Sequence, residues 1–275
     1  MSMSDPDVLR AQDRAHAEGH DYTKGSPHLR HDALRLDIEA RLTRLVRDAV
    51  ARTGRCRVLE IGAGHGTFTH TLLDAGATVT VTEASRASAD HLAQEFAGDE
   101  RVHVVHDESG TSLIDQALLD RSEWDLAVLI SVVHHIPDYL AFFGVLQEVV
   151  ADGGAIFTVQ DPLYYPRRSR AAHVASRATY FAWRLAQGNY RRGLATRLRR
   201  VNGGYSETAE SDLVEYHVVR EGVDEEAIRT LLAQRFDVEV FTYWSTQSPL
   251  WHRALQGSRL RSDFGVEATG RRRTP

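Results

Sequence analysis

The residues best suited to chemistry form one dense run and two outlying points. The run is Glu60-Ile61-Gly62-Ala63-Gly64-His65-Gly66, with glycines at alternate positions directly behind the apolar pair Val58-Leu59. Glycine lets backbone approach a ligand without a Cβ clash, and a helix opening just after the turn presents free N–H groups. The first outlier is Glu83, twenty-one residues beyond Gly62 and at the end of TVTVT. A carboxylate there can accept hydrogen bonds from both hydroxyls of an adenosine ribose, so turn and acid together imply an adenosine cofactor. The second outlier is the pair His134-His135 in SVVHHIPD; imidazole is the side chain whose ordinary pKa suits proton transfer near neutral pH.

These residues need a scaffold, and the hydrophobic pattern supplies one. Leu34, Ile38, Leu42, Leu45, Val46 and Ala49 recur at three- and four-residue steps, which predicts an amphipathic helix ending near Gly54. A buried strand then runs into the glycine turn and a helix over about 67–74. Strands follow at 78–83, 101–107, 125–131 and 155–161, with helices near 86–97, 112–120 and 138–151 between them. Five β/α units in series predict a doubly wound, mostly parallel sheet. The alternation breaks from 162 to 222, read as a helical cap insertion, and resumes with a helix at 224–234 and strands at 237–245 and 264–270. A loop containing Pro249 joins these last two strands, so they should close the sheet in antiparallel fashion. The expected divisions are an N-terminal arm or lid at 1–31, a core at 32–161 with 223–270, the cap at 162–222 and a disordered tail at 271–275.

Which adenosine cofactor binds depends on the third glycine. A dinucleotide fingerprint, G-x-G-x-x-G, wants glycine at position 67, where this chain has Thr67; the glycine comes one residue earlier. At this point the chain resembles the class I S-adenosylmethionine-dependent methyltransferases, whose E/D-x-G-x-G-x-G turn matches Glu60, Gly62, Gly64 and Gly66. The resemblance extends to Glu83 with its neighbour Ala84, to Asp107 as the family's adenine-contacting acid, and to Ser131 at the head of the segment after the fourth strand. It implies S-adenosylmethionine as cofactor, S-adenosylhomocysteine as product, and a seven-stranded sheet with an antiparallel last strand. Glu60 lies inside a strand, where an unpaired carboxylate is costly, so it should bond the glycine turn or the cofactor's ammonium.

A sulfonium methyl is already electrophilic, so positioning and water exclusion carry most of the catalysis. A hydroxyl or ammonium acceptor also needs a base. His135 is the first candidate and His134 the second, with packing against the sheet as the bland alternative for either. Tyr22, Gln160, Asp161, Tyr164, Tyr165, Tyr216 and His217 lie on parts that would cover the pocket and are weaker candidates for substrate contact. From 162 to 206 there are ten arginines and no Asp or Glu. They form either a rim for an anionic substrate or a solvated face or oligomer contact, because Lys24 is the chain's one lysine against 33 basic residues.

Composition narrows the function further. With 275 residues, 42% of them hydrophobic, and a net charge of −5, the chain looks globular and lacks the positive field of a nucleic-acid binder. It carries no apolar run near the ~18 residues of a membrane span and no apolar signal core at its start, so the expectation is a cytoplasmic protein. Cys56, a single cysteine, is expected to be inert core, with no disulfide. The histidines at 16, 20, 28, 31, 103 and 106 include HAEGH, which is not HExxH, and no metal is expected. The reading is methyl transfer to an O, N or C atom of a small, natural-product-like acceptor, with oligomeric state left open. Its rivals are a cofactor-binding scaffold or sensor without turnover, an RNA methyltransferase, and an NAD(P)-dependent oxidoreductase. The last is disfavoured by Thr67 and by the absence of a Tyr-x-x-x-Lys pair.

Overall fold

The computed structural model describes residues 26–186 and 221–272. The helix expected from the 34–49 pattern is α2 (Asp32–Thr53), preceded by a short α1 (Pro27–Arg30). In α2, Ile38, Leu42, Leu45, Val46 and Ala49 are buried, and the helix stops at Gly54, whose left-handed φ of 76° lets its N–H close back on Val50 O. Then come β1 (Arg57–Ile61), α3 (Thr67–Asp74), β2 (Thr78–Glu83), α4 (Arg86–Glu95), β3 (Val102–His106), α5 (Ser112–Asp120) and β4 (Trp124–Ile130). A 3-10 turn at Val133–His135 leads to α6 (Tyr139–Leu146), the long β5 (Val150–Pro162) and α7 (Arg170–Ala186). The described chain resumes before α8 (Glu225–Leu232), β6 (Asp237–Tyr243), α9 (Pro249–Leu255) and β7 (Asp263–Thr269).

Among the described residues one sheet of seven strands runs in the order β3-β2-β1-β4-β5-β7-β6. The first five are parallel, and β7 is antiparallel to both β5 and β6. Both faces are covered, so central strands are apolar on both sides. On one face Val58, Val79, Val81, Val128 and Phe157 pack under α2, α3 and α4; on the other Leu59, Ile61, Ala127, Leu129 and Ile156 pack under α5, α6 and α8. Strand order reverses between β1 and β4, and the crevice beyond their C-terminal ends is where a doubly wound sheet offers a ligand site.

Two local differences from the pattern have simple causes. The helix expected at 138–151 ends early, and β5 starts at Val150, because Val150 already pairs with Trp124. Pro249, expected in a loop, opens α9 instead; proline at the first helical position gives up an N–H that no helix could use. The two ends of the 162–222 stretch lie together, since Leu163 bridges Val223 and a Cβ on Gly222 would sit 2.4 Å from the Leu163 carbonyl oxygen.

Candidate active site

The glycine turn is fixed from both ends. Gly62 N–H donates to Thr82 O, and all three glycines have positive φ (69°, 60° and 80°). A Cβ on Gly62 would lie 2.7 Å from a Val132 methyl, and one on Gly66 2.8 Å from the Phe96 ring. A Cβ on Gly64 would meet nothing within 4 Å, so this is the glycine whose outer side faces open space. Glu60 is buried, and its Oε2 accepts from Thr69 Oγ1 at 2.6 Å, tying the strand end to the first turn of α3. Burial, reinforced by nearby Glu83, raises the Glu60 pKa to about 7.

Glu83 ends β2 and its Oε1 accepts the Gly64 N–H at 2.6 Å. Burial raises its pKa to about 7, although the backbone amides of Gly64, Ser85 and Ala84 oppose the shift. Glu83 is thus a buried carboxylate held against the turn's middle glycine. The adjoining Ala84 carbonyl is held by His106 Nε2 at 3.1 Å; Arg86 donates to His106 Nδ1, which fixes the hydrogen on Nε2.

Asp107, which ends the stretch after β3, is bonded by its own loop. Its Oδ1 accepts from Ser109 N, Ser109 Oγ and Gly110 N, and its Oδ2 from Ser112 N, so the acid orders the 107–112 loop and the start of α5. Ser131 sits just beyond β4 with φ 61°, an uncommon left-handed serine, and its N–H donates to Val159 O. That sharp exit sends the chain into the turn carrying His134 and His135.

The two histidines differ in surroundings. Asp161, at the end of β5 and fully buried, accepts from His134 N at 3.0 Å and pairs with His134 Nδ1 at 2.8 Å through Oδ1; its Oδ2 accepts from Thr158 Oγ1 at 3.0 Å. A carboxylate only accepts, so His134 carries its hydrogen on Nδ1 and its lone pair on Nε2. This is the base-plus-orienter arrangement of general-base sites. His135 stacks on His134 with ring centroids 4.0 Å apart. Sequence reasoning ranked His135 first and His134 second; Asp161 is bonded to His134.

The weaker substrate candidates divide. Gln160 is the bulged residue between Val159 and Asp161, with φ 69°. Its amide donates to Ser245 Oγ at 3.1 Å and Asp263 Oδ1 at 3.3 Å and accepts from Tyr243 OH at 3.2 Å, so it binds β5 to β6 and β7. Tyr164 lies under the Arg167 guanidinium, which also pairs with Asp224 and, at 2.8 Å, with Glu225. Tyr165 sits edge-on to His173 and under Arg168. Tyr22, Tyr216 and His217 lie outside the described residues. Among the described residues, His, Cys, Asp and Glu form no group of three able to hold a metal ion. Sequence reasoning missed Thr69 and the pairing role of Asp161, although an acid ending a strand, as Glu83 does, was the available signal.

Residues 59–156 match the family model described as a methyltransferase domain. Over 130 residues the chain is 40% identical to a probable nonribosomal peptide synthetase, CymA, of Salinispora arenicola (strain CNS-205); the match takes in 43% of this chain, which spans 2% of that protein's length. The N-methyltransferase NodS from Bradyrhizobium japonicum WM9, solved with S-adenosylhomocysteine, superposes with a TM-score of 0.53 at 13% identity, covering 96% of this chain and 98% of NodS. The plantazolicin methyltransferase BamL, solved with a triazolic desmethylPZN analog and S-adenosylhomocysteine, gives 0.52 at 13% identity over 96% and 97% of the two chains. The CurJ carbon methyltransferase gives 0.51 at 13% identity over 90% of this chain and 57% of the other. Residues 59–156 thus match a methyltransferase domain, and the fold is that of solved methyltransferases, two of them crystallised with S-adenosylhomocysteine. No helix of the described residues is long and apolar enough to cross a membrane.

Proposed function

We propose that this chain transfers a methyl group from S-adenosylmethionine to a small acceptor of the natural-product type, with His134 as general base. The observation that carries the reading is the placement of the Glu60–Gly66 turn and Glu83 on one side of the β1/β4 crevice and the Asp161–His134 pair on the other. Gly62, Gly64 and Gly66 would bring backbone against the cofactor, Glu83 would accept from its ribose, and the Asp107 loop with Ala84 would flank its base. The cofactor supplies an electrophilic sulfonium methyl. The chain's own residues then orient the acceptor, exclude water and hold the base. Asp161 keeps the His134 hydrogen on Nδ1 and can stabilise the imidazolium formed once a proton is taken. His135 is the second candidate base.

The natural-product assignment is supported by the synthetase relative and by BamL; NodS is named for nitrogen and CurJ for carbon, so the solved neighbours do not choose the atom for this chain. The N-terminal arm and much of the 162–222 cap expected from the sequence lie outside the described residues, and a cytoplasmic reducing setting suits the single buried Cys56. Calorimetric titration with S-adenosylmethionine, S-adenosylhomocysteine and NADH, repeated on Glu83→Ala, tests the reading. Micromolar binding of the sulfur cofactors alone, lost in the variant, is expected. Binding of NADH instead would overturn it, and cofactor binding without turnover on any hydroxyl, amine or carbon acceptor would leave a scaffold.

A further inference from the structure

Two non-glycine residues with left-handed backbone stand side by side at the ligand end of the sheet. Ser131 (φ 61°) leaves β4, Gln160 (φ 69°) lies within β5, and Ser131 N donates to Val159 O at 2.8 Å. A residue with a Cβ takes such a φ at a cost, so surrounding contacts must hold it there, and strain of this kind gathers at functional sites. Each of the two steers one member of the Asp161–His134 pair: Ser131 opens the turn that carries His134, and Gln160 directly precedes Asp161. The bulge puts Val159 and Gln160 on one face of the sheet and returns Asp161 to the face of Thr158, whose Oγ1 donates to Asp161 Oδ2 at 3.0 Å. The Gln160 amide accordingly reaches Tyr243, which packs against the same core as Val159. Both ends of that amide are used. Tyr243 OH donates to Oε1 at 3.2 Å, and Nε2 donates to Ser245 Oγ at 3.1 Å and to Asp263 Oδ1 at 3.3 Å. Burial raises the Asp263 pKa to about 6 and the Tyr243 pKa well above its usual 10, so at pH 7 the carboxylate only accepts and the phenol keeps its hydrogen, which decides the orientation of the amide. The partners are themselves held: Ser262 Oγ accepts from Ser245 N at 2.7 Å and donates to Asp263 Oδ2 at 2.6 Å.

We propose that Gln160 is a positioning residue for methyl transfer: its amide, clamped by Tyr243, Ser245 and Asp263, holds the left-handed turn of β5 that delivers Asp161 to His134. The inference rests on the methyl-transfer reading with His134 as base. It extends the acceptor-side machinery to β6 and β7, which lie beyond the matched residues 59–156. Tyr243 and Asp263 pair across these two strands and so share a face, and the clamp therefore acts from the side of the sheet opposite the carboxyl it positions. With the clamp lost, the strained φ of Gln160 relaxes toward ordinary extended backbone, and strict alternation then carries Asp161 away from Thr158 and His134. The glycine turn is built on β1 and β2, so cofactor affinity and acceptor activation should separate when the clamp is cut.

The test uses the full chain with ¹⁵N-labelled histidine rings, with and without S-adenosylhomocysteine. A hydrogen shared between imidazole Nδ1 and a buried carboxylate resonates far downfield, and the His134 signal is assigned by its loss in His134→Asn. Gln160→Ala keeps the strained φ and loses the clamp; it should abolish that signal or speed its exchange with water about tenfold or more, while S-adenosylhomocysteine affinity stays within about threefold of wild type. Gln160→Gly, for which φ 69° carries no Cβ penalty, should keep the signal. Tyr243→Phe, whose ring still stacks on Phe241, cuts one bond of the clamp and should fall between Gln160→Ala and wild type. On an acceptor that wild type methylates, kcat should follow the same order at constant KM for S-adenosylmethionine. A wild-type signal in Gln160→Ala, equal loss in Gln160→Ala and Gln160→Gly, or no downfield His134 signal in wild type overturns the proposal and leaves the methyltransferase reading standing. Should Gln160→Ala fail to fold, Tyr243→Phe decides alone, and a signal identical to wild type overturns the clamp. Failure of wild type to bind S-adenosylhomocysteine overturns the methyltransferase reading, and the signals of the ligand-free variants still decide the clamp.

Discussion

The carboxylate of Glu83 should couple cofactor binding to pH. Burial raises its pKa from 4.5 to about 7, and its Oε1 accepts the Gly64 N–H. Two ribose hydroxyls donate best to an ionised carboxylate, so the bound state should hold Glu83 deprotonated. If only the ionised form binds, affinity is scaled by the ionised fraction, and S-adenosylhomocysteine should bind about tenfold more weakly at pH 6 than at pH 8. Binding should then release about 0.9 proton at pH 6 and about 0.5 at pH 7, which calorimetry in buffers of different ionisation enthalpy reads directly. Glu83→Gln can still accept from Gly64 through its amide oxygen but loses charge assistance to two hydroxyls, worth about 1 kcal/mol each. The variant should therefore bind about thirtyfold more weakly than wild type at pH 8 and only about threefold more weakly at pH 6. Glu60 is also raised to about 7, and the variant separates the two. Affinity independent of pH between 6 and 8 would refute the argument. Persistence of the full pH dependence in Glu83→Gln would move the titration to Glu60.

Asp161→Asn should fold and bind cofactor as wild type does but lose about 10²-fold in kcat, because His134 Nδ1 loses its carboxylate; His134→Asn should lose at least as much, and unchanged turnover in either would return the base to His135. Gly66→Ala should lower Tm by more than Gly64→Ala, since both have positive φ but only the first drives a Cβ into a buried ring at 2.8 Å, and equal losses would contradict the packing account. Burial lowers the His252 pKa to about 4, with His31 adding a smaller push. Between about pH 6.5 and 4 the unfolded chain binds the proton and the native chain does not, so this site's stability contribution is present at neutral pH and lost as pH falls. His252→Phe, which keeps a ring against His31, should flatten the acid limb of a Tm-against-pH curve, and an unaltered limb would remove His252 from it.

The scaffold was legible because its signals are local. Alternating strands and helices, glycines behind an apolar run and an acid ending a strand each lie within a few residues, and β1, β2 and their helices sit where those signals put them. The antiparallel finish was legible from the lack of a full-length helix between the last two strands, and Pro249 merely opens a seven-residue helix inside that connection. The choice between His134 and His135 was not local. Adjacent residues on a 3-10 turn point in different directions, and only the register of β4 on β5, Ile130 against Val159, brings Asp161 beside one of them. The bulge at Gln160 decides the chemistry here: it breaks the β5/β7 register one residue before Asp161, and Thr158, three residues earlier, then bonds the same carboxylate. Without the bulge, successive side chains from Thr158 would alternate across the sheet and Asp161 would project from the face opposite Thr158. A Gln160 deletion should therefore separate Asp161 from Thr158 and His134, costing turnover while the glycine turn, built on β1 and β2, still binds cofactor.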